Sequence, residues 1–247
     1  MLDSDSAPRA ASAHTTGPGI IAREASPHAL QILTTEHWSL LASRQLGYTE
    51  AMSRASIFIA ALSGAVVALA LVAQAADFGD GFVAFALVLL PVVFFLGIAT
   101  IARLSQVNRE EAVWVQGLNR LRHAYLELAP ELEPYFVTSR YDDDAGVLRS
   151  SIATPRVQTP LQGFIAIPGV VAVLDSVVAG ATVGIAALAL ELGTGVAIAA
   201  GAVTVAAALA VSLAFFRRII AAHRRDMIVR FPTPAGGEES PTDRRSA

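Results

Sequence analysis

Asp175 is the residue whose type and position first pose a chemical question. It lies about ten residues inside the third of four apolar stretches, near mid-membrane if that stretch crosses a bilayer, where a central Asp costs about 2.5–3.5 kcal/mol to insert. A carboxyl in such a place needs a partner, a water or a proton. One reading makes it an ion or proton site, or a pore-facing group in an oligomer. The other makes it a protonated or hydrogen-bonded side chain tying its helix to a neighbour, for example through Thr204 near the centre of the fourth stretch. Ser176 completes this intramembrane polar set. No second intramembrane charge joins Asp175, and a proton relay needs more members.

Ala172, Ser176, Gly180 and Gly184 recur every four residues beside Asp175 and share a helix face, with Gly180 to Gly184 forming a GxxxG match. That face predicts close helix packing, either within the chain or against a second subunit. Pro91 falls inside the second stretch. Its missing N–H frees the carbonyl of Leu87 and predicts a kink, read as an ordinary membrane proline or as a gating hinge.

Outside the apolar stretches, His123 and Glu127 are spaced for one helix face, and Glu36 and His37 adjoin. Such isolated pairs read as surface residues rather than ligands. Asp142, Asp143 and Asp144 lack the spacing and central glycine of a calcium loop and read as a solvated acidic loop. No nucleophile–base–orienter set, phosphate-binding glycine loop or paired carboxylates stand out. The sequence therefore yields no catalytic residue, metal, cofactor or small-molecule substrate.

The elements that position these residues are four apolar stretches, 55–76, 82–102, 165–190 and roughly 198–216. Each can cross about 30 Å of hydrocarbon as a helix rising about 1.5 Å per residue. The chain has no lysine, and its 18 basic residues are arginines placed before the first stretch, between the second and third, or after the fourth. The connectors 77–81 and 191–195 contain none. Because arginine is retained on the cytoplasmic side, both termini and the central segment are expected there, in a multi-pass membrane protein. The fold class expected is an all-α membrane protein, four transmembrane helices in two hairpins with amphipathic cytoplasmic helical extensions.

Along the chain this divides into a disordered tail (1–27), an amphipathic cytoplasmic helix (28–54), a first hairpin (55–103), a long cytoplasmic helix and loop (104–163), a second hairpin (164–216), a cytoplasmic helix (217–230) and a second tail (231–247). Both tails are rich in small and polar residues and have little apolar surface to offset their ordering entropy. A net charge of -3 argues against nucleic acid as a partner. The absence of cysteine excludes disulfides and thiol chemistry.

In the first arm, capped by Thr34 or Thr35, the residues Trp38, Leu41, Gln45, Tyr48 and Met52 form a helical stripe. In the central helix Val107, Glu111, Trp114, Leu118, Leu121, Tyr125 and Leu128 keep a seven-residue period, and Pro130 ends it. That stripe predicts an interface at Trp114, Leu118, Leu121 and Tyr125. Its partner is either this chain's own 36–54 and 217–230 arms or another subunit. Beyond it, 135–163 reads as a turn-rich loop with a short extended piece at 134–138, and the last helix is expected to end near Arg230. Both connectors read acidic, apolar, Gly, any, Gly, a weak internal echo.

The segments Thr35-Glu36-His37-Trp38-Ser39-Leu40-Leu41 and Tyr125-Leu-Glu-Leu-Ala-Pro-Glu-Leu-Glu-Pro-Tyr135-Phe resemble those of a group of uncharacterised bacterial multi-pass membrane proteins. The likeness spans about residues 30–150. The plan of arm, two crossings and long cytoplasmic helix also resembles the two-crossing SLATT-type membrane effectors of bacterial defence, to which this chain adds a second hairpin. That likeness implies a pore-forming reading and carries no site residue. The function expected is that of a non-catalytic, homo-oligomeric interaction or scaffold protein in the lipid bilayer. The alternatives are a homo-oligomeric ion channel or pore, with Asp175 near the conduction path, and a proton-coupled transporter.

Overall fold

The computed structural model describes residues 27–151 and 167–234. Helices α1 (Pro27–Ala75) and α2 (Asp80–Leu128) are each 49 residues long. A 3-10 turn at Pro130–Tyr135, the short α3 (Asp144–Ser151), α4 (Ile167–Ala189) and α5 (Thr194–Asp226) follow, and every element among the described residues is helical. α1, α2, α4 and α5 each hold a run long and apolar enough to cross a membrane. In α1, α2 and α5 the apolar run continues into a polar arm within the same helix. The junctions 51–60, 99–110 and 210–222 contain neither glycine nor proline, so nothing interrupts the hydrogen-bond ladder. α2 also remains one helix through Pro91.

The two tight turns echo each other in geometry. Asp77 and Glu191 adopt left-handed φ values of 45° and 56°. The N–H groups of Phe78 and Leu192 each donate back five residues, to the carbonyls of Ala73 and Ala187, as in a Schellman closure. Both turns lie at one end of the molecule, called here the turn end. The polar arms lie at the other, the arm end.

α1 packs along α2, α2 on α4, and α4 on α5. α2 is central because Ala86, Leu90, Val93, Gly97, Ile101 and Leu104, spaced by three and four, give it one continuous inward face. Phe58, Leu104 and Val171 bring α1, α2 and α4 together in the core. α5 is peripheral, burying only Ala197 among its residues.

The small-residue ladder is used within the chain. A Cβ built on Gly180 would lie 2.8 Å from the carbonyl oxygen of Gly201, and one on Gly184 would lie 3.4 Å from that of Ala197. At Gly180 and Gly201 two backbones touch because neither carries a side chain. Ala172 and Ser176, further down the same ladder, are buried.

The heptad face of α2 also finds its partner in its own chain. Tyr125 donates its hydroxyl to the Leu33 carbonyl at 3.1 Å, and Arg44 binds Glu111 through Nε and a terminal nitrogen. The Trp114 ring fills the space over Gly47, where an added Cβ would meet it at 2.6 Å, and Leu40 covers Gly117 in the same way at 2.9 Å. Leu118 and Leu121 are buried. At the base of the arm Arg103 grips both carboxylate oxygens of Glu50, at 2.8 and 2.7 Å. The Arg103 and Arg54 hydrogen bonds hold the Glu50 carboxyl down at about 2. The inward positions of the α1 arm are thus Leu33, Leu40, Arg44 and Gly47. Of the stripe read from sequence, Trp38, 67% exposed, Tyr48 and Met52 point outward, while Leu41 is half-buried.

Residues after α2 depart from the expected loop. The 3-10 turn opens on Pro130, whose fixed φ suits a first helical position, and it occupies the start of the expected extended piece. α3 forms where only loop was foreseen, with Asp143 accepting the N–H of Gly146 at 2.8 Å as its N-cap. α5 stops at Asp226, and residues 227–234 run on as ordered non-helical chain. Residues 231–234, expected to open the second tail, are part of this chain. The expected tail over 1–26, the loop over 152–163 and the tail over 235–247 lie outside the described residues.

Candidate functional site

Asp175 sits on the side of α4 that faces α2 and is 3% exposed. Opposite stands Gly97, and a methyl group built on Gly97 would fall onto Asp175 Oδ1. The carboxyl therefore occupies the room left by the missing side chain. Its Oδ1 is shielded from solvent and has no hydrogen-bond partner among the described residues.

The nearby hydroxyls do not supply one. Ser176 donates to the Ala172 carbonyl at 2.7 Å, Thr100 to Leu96 at 2.8 Å and Thr204 to Ala200 at 2.8 Å. A hydroxyl in an apolar helix satisfies its donor on the carbonyl four residues back, which is why the expected tie from Asp175 to Thr204 is replaced by local bonds. No arginine or histidine forms an ion pair with Asp175 among the described residues. An ionised carboxylate without a partner is strongly disfavoured in apolar surroundings, so the site chemically suits a carboxylic acid that retains its proton or an acceptor for a cation or a water. Gly97 was missed in the sequence. Its only signal is a lone glycine within the Leu-, Phe- and Val-rich second stretch.

A second polar centre lies at the arm end, around Asp142. The three-aspartate run was expected to be solvated, yet Asp142 is 0% exposed. Its carboxylate accepts the N–H of Phe231 at 2.7 Å and that of Arg230 at 3.1 Å, and takes Arg120 Nε at 2.7 Å. Asp143 does the same for Thr233, receiving its N–H and its hydroxyl, each at 2.9 Å. Gln116 ties the Asp142 and Ile228 carbonyls to α2, and Asn119 holds the Tyr141 carbonyl. Burial alone would raise the Asp142 pKa, but the Arg120 hydrogen bond and the Phe231 and Arg230 amides outweigh it and hold the carboxyl below its usual range. Asp143 is lowered likewise against its own burial, by Thr233 and Gly146.

This clasp binds the chain after α5 to α2 and α3. It recruits His123, whose ring stacks on Phe231 at 4.0 Å and whose Nε2 lies 3.5 Å from Glu127. No group of three or more His, Asp or Glu side chains among the described residues is placed to hold a metal. The two centres differ in what they can do, since Asp142 is saturated by donors and structural, whereas the buried Oδ1 of Asp175 accepts no hydrogen bond among the described residues. Compared with protein-family models, curated proteins and solved structures, the chain matches none.

Proposed function

We propose that this is a non-catalytic integral protein of the bacterial cytoplasmic membrane, threaded four times as two hairpins with both ends and all arms in the cytoplasm, and that it works as a homo-oligomeric interaction or scaffold protein. The arginine distribution supports the orientation. The observation that carries the interaction reading is the outward stripe of the α1 arm, where Leu30, Trp38, Tyr48 and Met52 are all exposed. Trp and Tyr are enriched at binding hot spots, and an apolar stripe on a water-facing helix calls for a cover. The heptad face of α2 no longer argues for a subunit contact, since α1 already covers it. A second copy fits the α1 stripe because every copy in one bilayer carries its arm on the same side at the same height, which favours a parallel two-fold contact.

The lack of cysteine makes the test direct. Gln45→Cys places a thiol on the exposed stripe, and Val113→Cys places one on the exposed side of α2. Oxidation in native membranes is expected to give a disulfide-linked dimer for Gln45→Cys and none for Val113→Cys, with Trp38→Ala abolishing the dimer. A monomer under all conditions removes the proposal.

The buried Oδ1 of Asp175, without a partner among the described residues, favours a second reading, a homo-oligomeric channel or pore or, less directly, a proton-coupled transporter. On the scaffold reading, reconstituted vesicles are expected to show no ion or proton flux across a range of voltage and pH, and Asp175→Asn to insert normally. Flux in the wild type that Asp175→Asn abolishes would replace the scaffold reading with the second.

A further inference from the structure

We propose that the cleft between α2, α3, α4 and α5 at the arm end is a binding site for an anionic phospholipid of the cytoplasmic leaflet. The cleft has a volume of about 440 Å³, within the range of small-ligand pockets. Its walls come from two chemistries that meet at one level. Ala172, Leu209, Leu213 and Phe216 belong to the apolar runs of α4 and α5, whereas Asn108, Arg109 and Arg217 stand where those runs give way to the arms. An amphiphile divided in the same way, with acyl chain above and phosphate below, matches this division.

The charges fit a phosphate. Asp144 also lines the cleft, but Arg224 takes its carboxylate at 3.0 Å. Arg109 and Arg217 form no ion pair among the described residues. His223 lines the same cleft, and its Nε2, shielded from solvent, has no hydrogen-bond partner among the described residues. Two guanidiniums and the His223 ring therefore border one space, and the one carboxylate lining it among the described residues is taken by Arg224.

The packing explains why the space is there. α4 and α5 make backbone contact at Gly180 and Gly201. Nearer the arm end Leu209, Leu213 and Phe216 line the cleft without being buried. Nothing among the described residues fills the gap between α5 and the rest of the bundle, and with the apolar runs in a bilayer the gap would open to lipid. This inference goes beyond the scaffold reading and needs only that the apolar runs lie in a bilayer.

The test is native mass spectrometry of the full chain released from nanodiscs of phosphatidylcholine containing a minority of phosphatidylglycerol. Wild-type protein is expected to retain phosphatidylglycerol about tenfold over its share of the bilayer. Arg109→Gln with Arg217→Gln is expected to remove that preference, while Arg218→Gln with Arg225→Gln, arginines outside the cleft, leaves it unchanged. Leu213→Trp, which fills the apolar half without altering charge, should lower retention as well and stands in if the double variant does not fold. Excess inorganic phosphate is expected to leave the lipid in place. Equal retention of both lipids, unchanged retention in the double variant and in Leu213→Trp, or displacement of the lipid by phosphate alone would each overturn the proposal.

Discussion

Gly97→Ala is expected to lower the melting temperature of the reconstituted protein, by an amount corresponding to about 1–3 kcal/mol of over-packing. Intrinsic helix preference predicts the opposite, since Ala is better than Gly in a helix by about 1 kcal/mol. The sign of the effect therefore reports the contact. The new methyl would fall onto Asp175 Oδ1 and lie 3.0 Å from Oδ2, so α2 and α4 have to separate or the carboxyl has to leave its place. Asp175→Ala in the Gly97→Ala background is expected to restore most of the loss, because it removes the atoms in collision. Made alone, Asp175→Ala trades an unpaired polar group for a small cavity and should change stability much less. A Gly97→Ala protein as stable as the wild type would show that the two helices do not meet at this point.

Asp142→Ala should be the most damaging change at the arm end. It leaves the amides of Arg230 and Phe231 and the Arg120 guanidinium without their acceptor in a buried position. Because Arg120 retains some access to water, a loss of about 3 kcal/mol, at the low end for a broken buried pair, is expected. Hydrogen exchange should localise it, with the amides of 227–234 losing protection while α4 is unaffected. Acid should reproduce the effect. The folded-state carboxyls of Asp142 and Asp143 sit below their ordinary value of 3.8. Their contribution is therefore complete above that value and is lost as the pH falls below it toward the lower folded-state value. The clasp should hold unchanged around neutrality and release in acid, and Asp142→Ala should flatten that acid limb. A clasp that tightens on acidification would contradict the assignment.

The long-range plan was legible where a residue's role depends on its own neighbours in sequence. Apolar length located the four helices, Pro130 marked the end of α2, and the heptad from Val107 to Leu128 marked the face of α2 that α1 covers. The same logic does not find the inward face of α1. It takes large apolar residues as inward, whereas the positions that meet α2 include Arg44, which pairs with Glu111, and Gly47, which is small because Trp114 supplies the volume. Complementation of that kind depends on the partner and has no period of its own. Asp142 was misread for a related reason, since its donors Arg230 and Phe231 lie far along the chain and the local run of aspartates shows only charge. Asp175 stood out because a carboxylate in an apolar run is costly anywhere, but its neighbour Gly97 is visible only once α2 and α4 are packed.

α1 and α2 each rise about 74 Å as single helices, passing from the polar arms into the apolar runs without a joint. Paired stiff rods of that length act as a lever. A tilt imposed near Trp38 has no hinge to absorb it and is handed on to the crossing where Gly97 meets Asp175, so whatever seizes the far tip also steers the spacing around the buried acid.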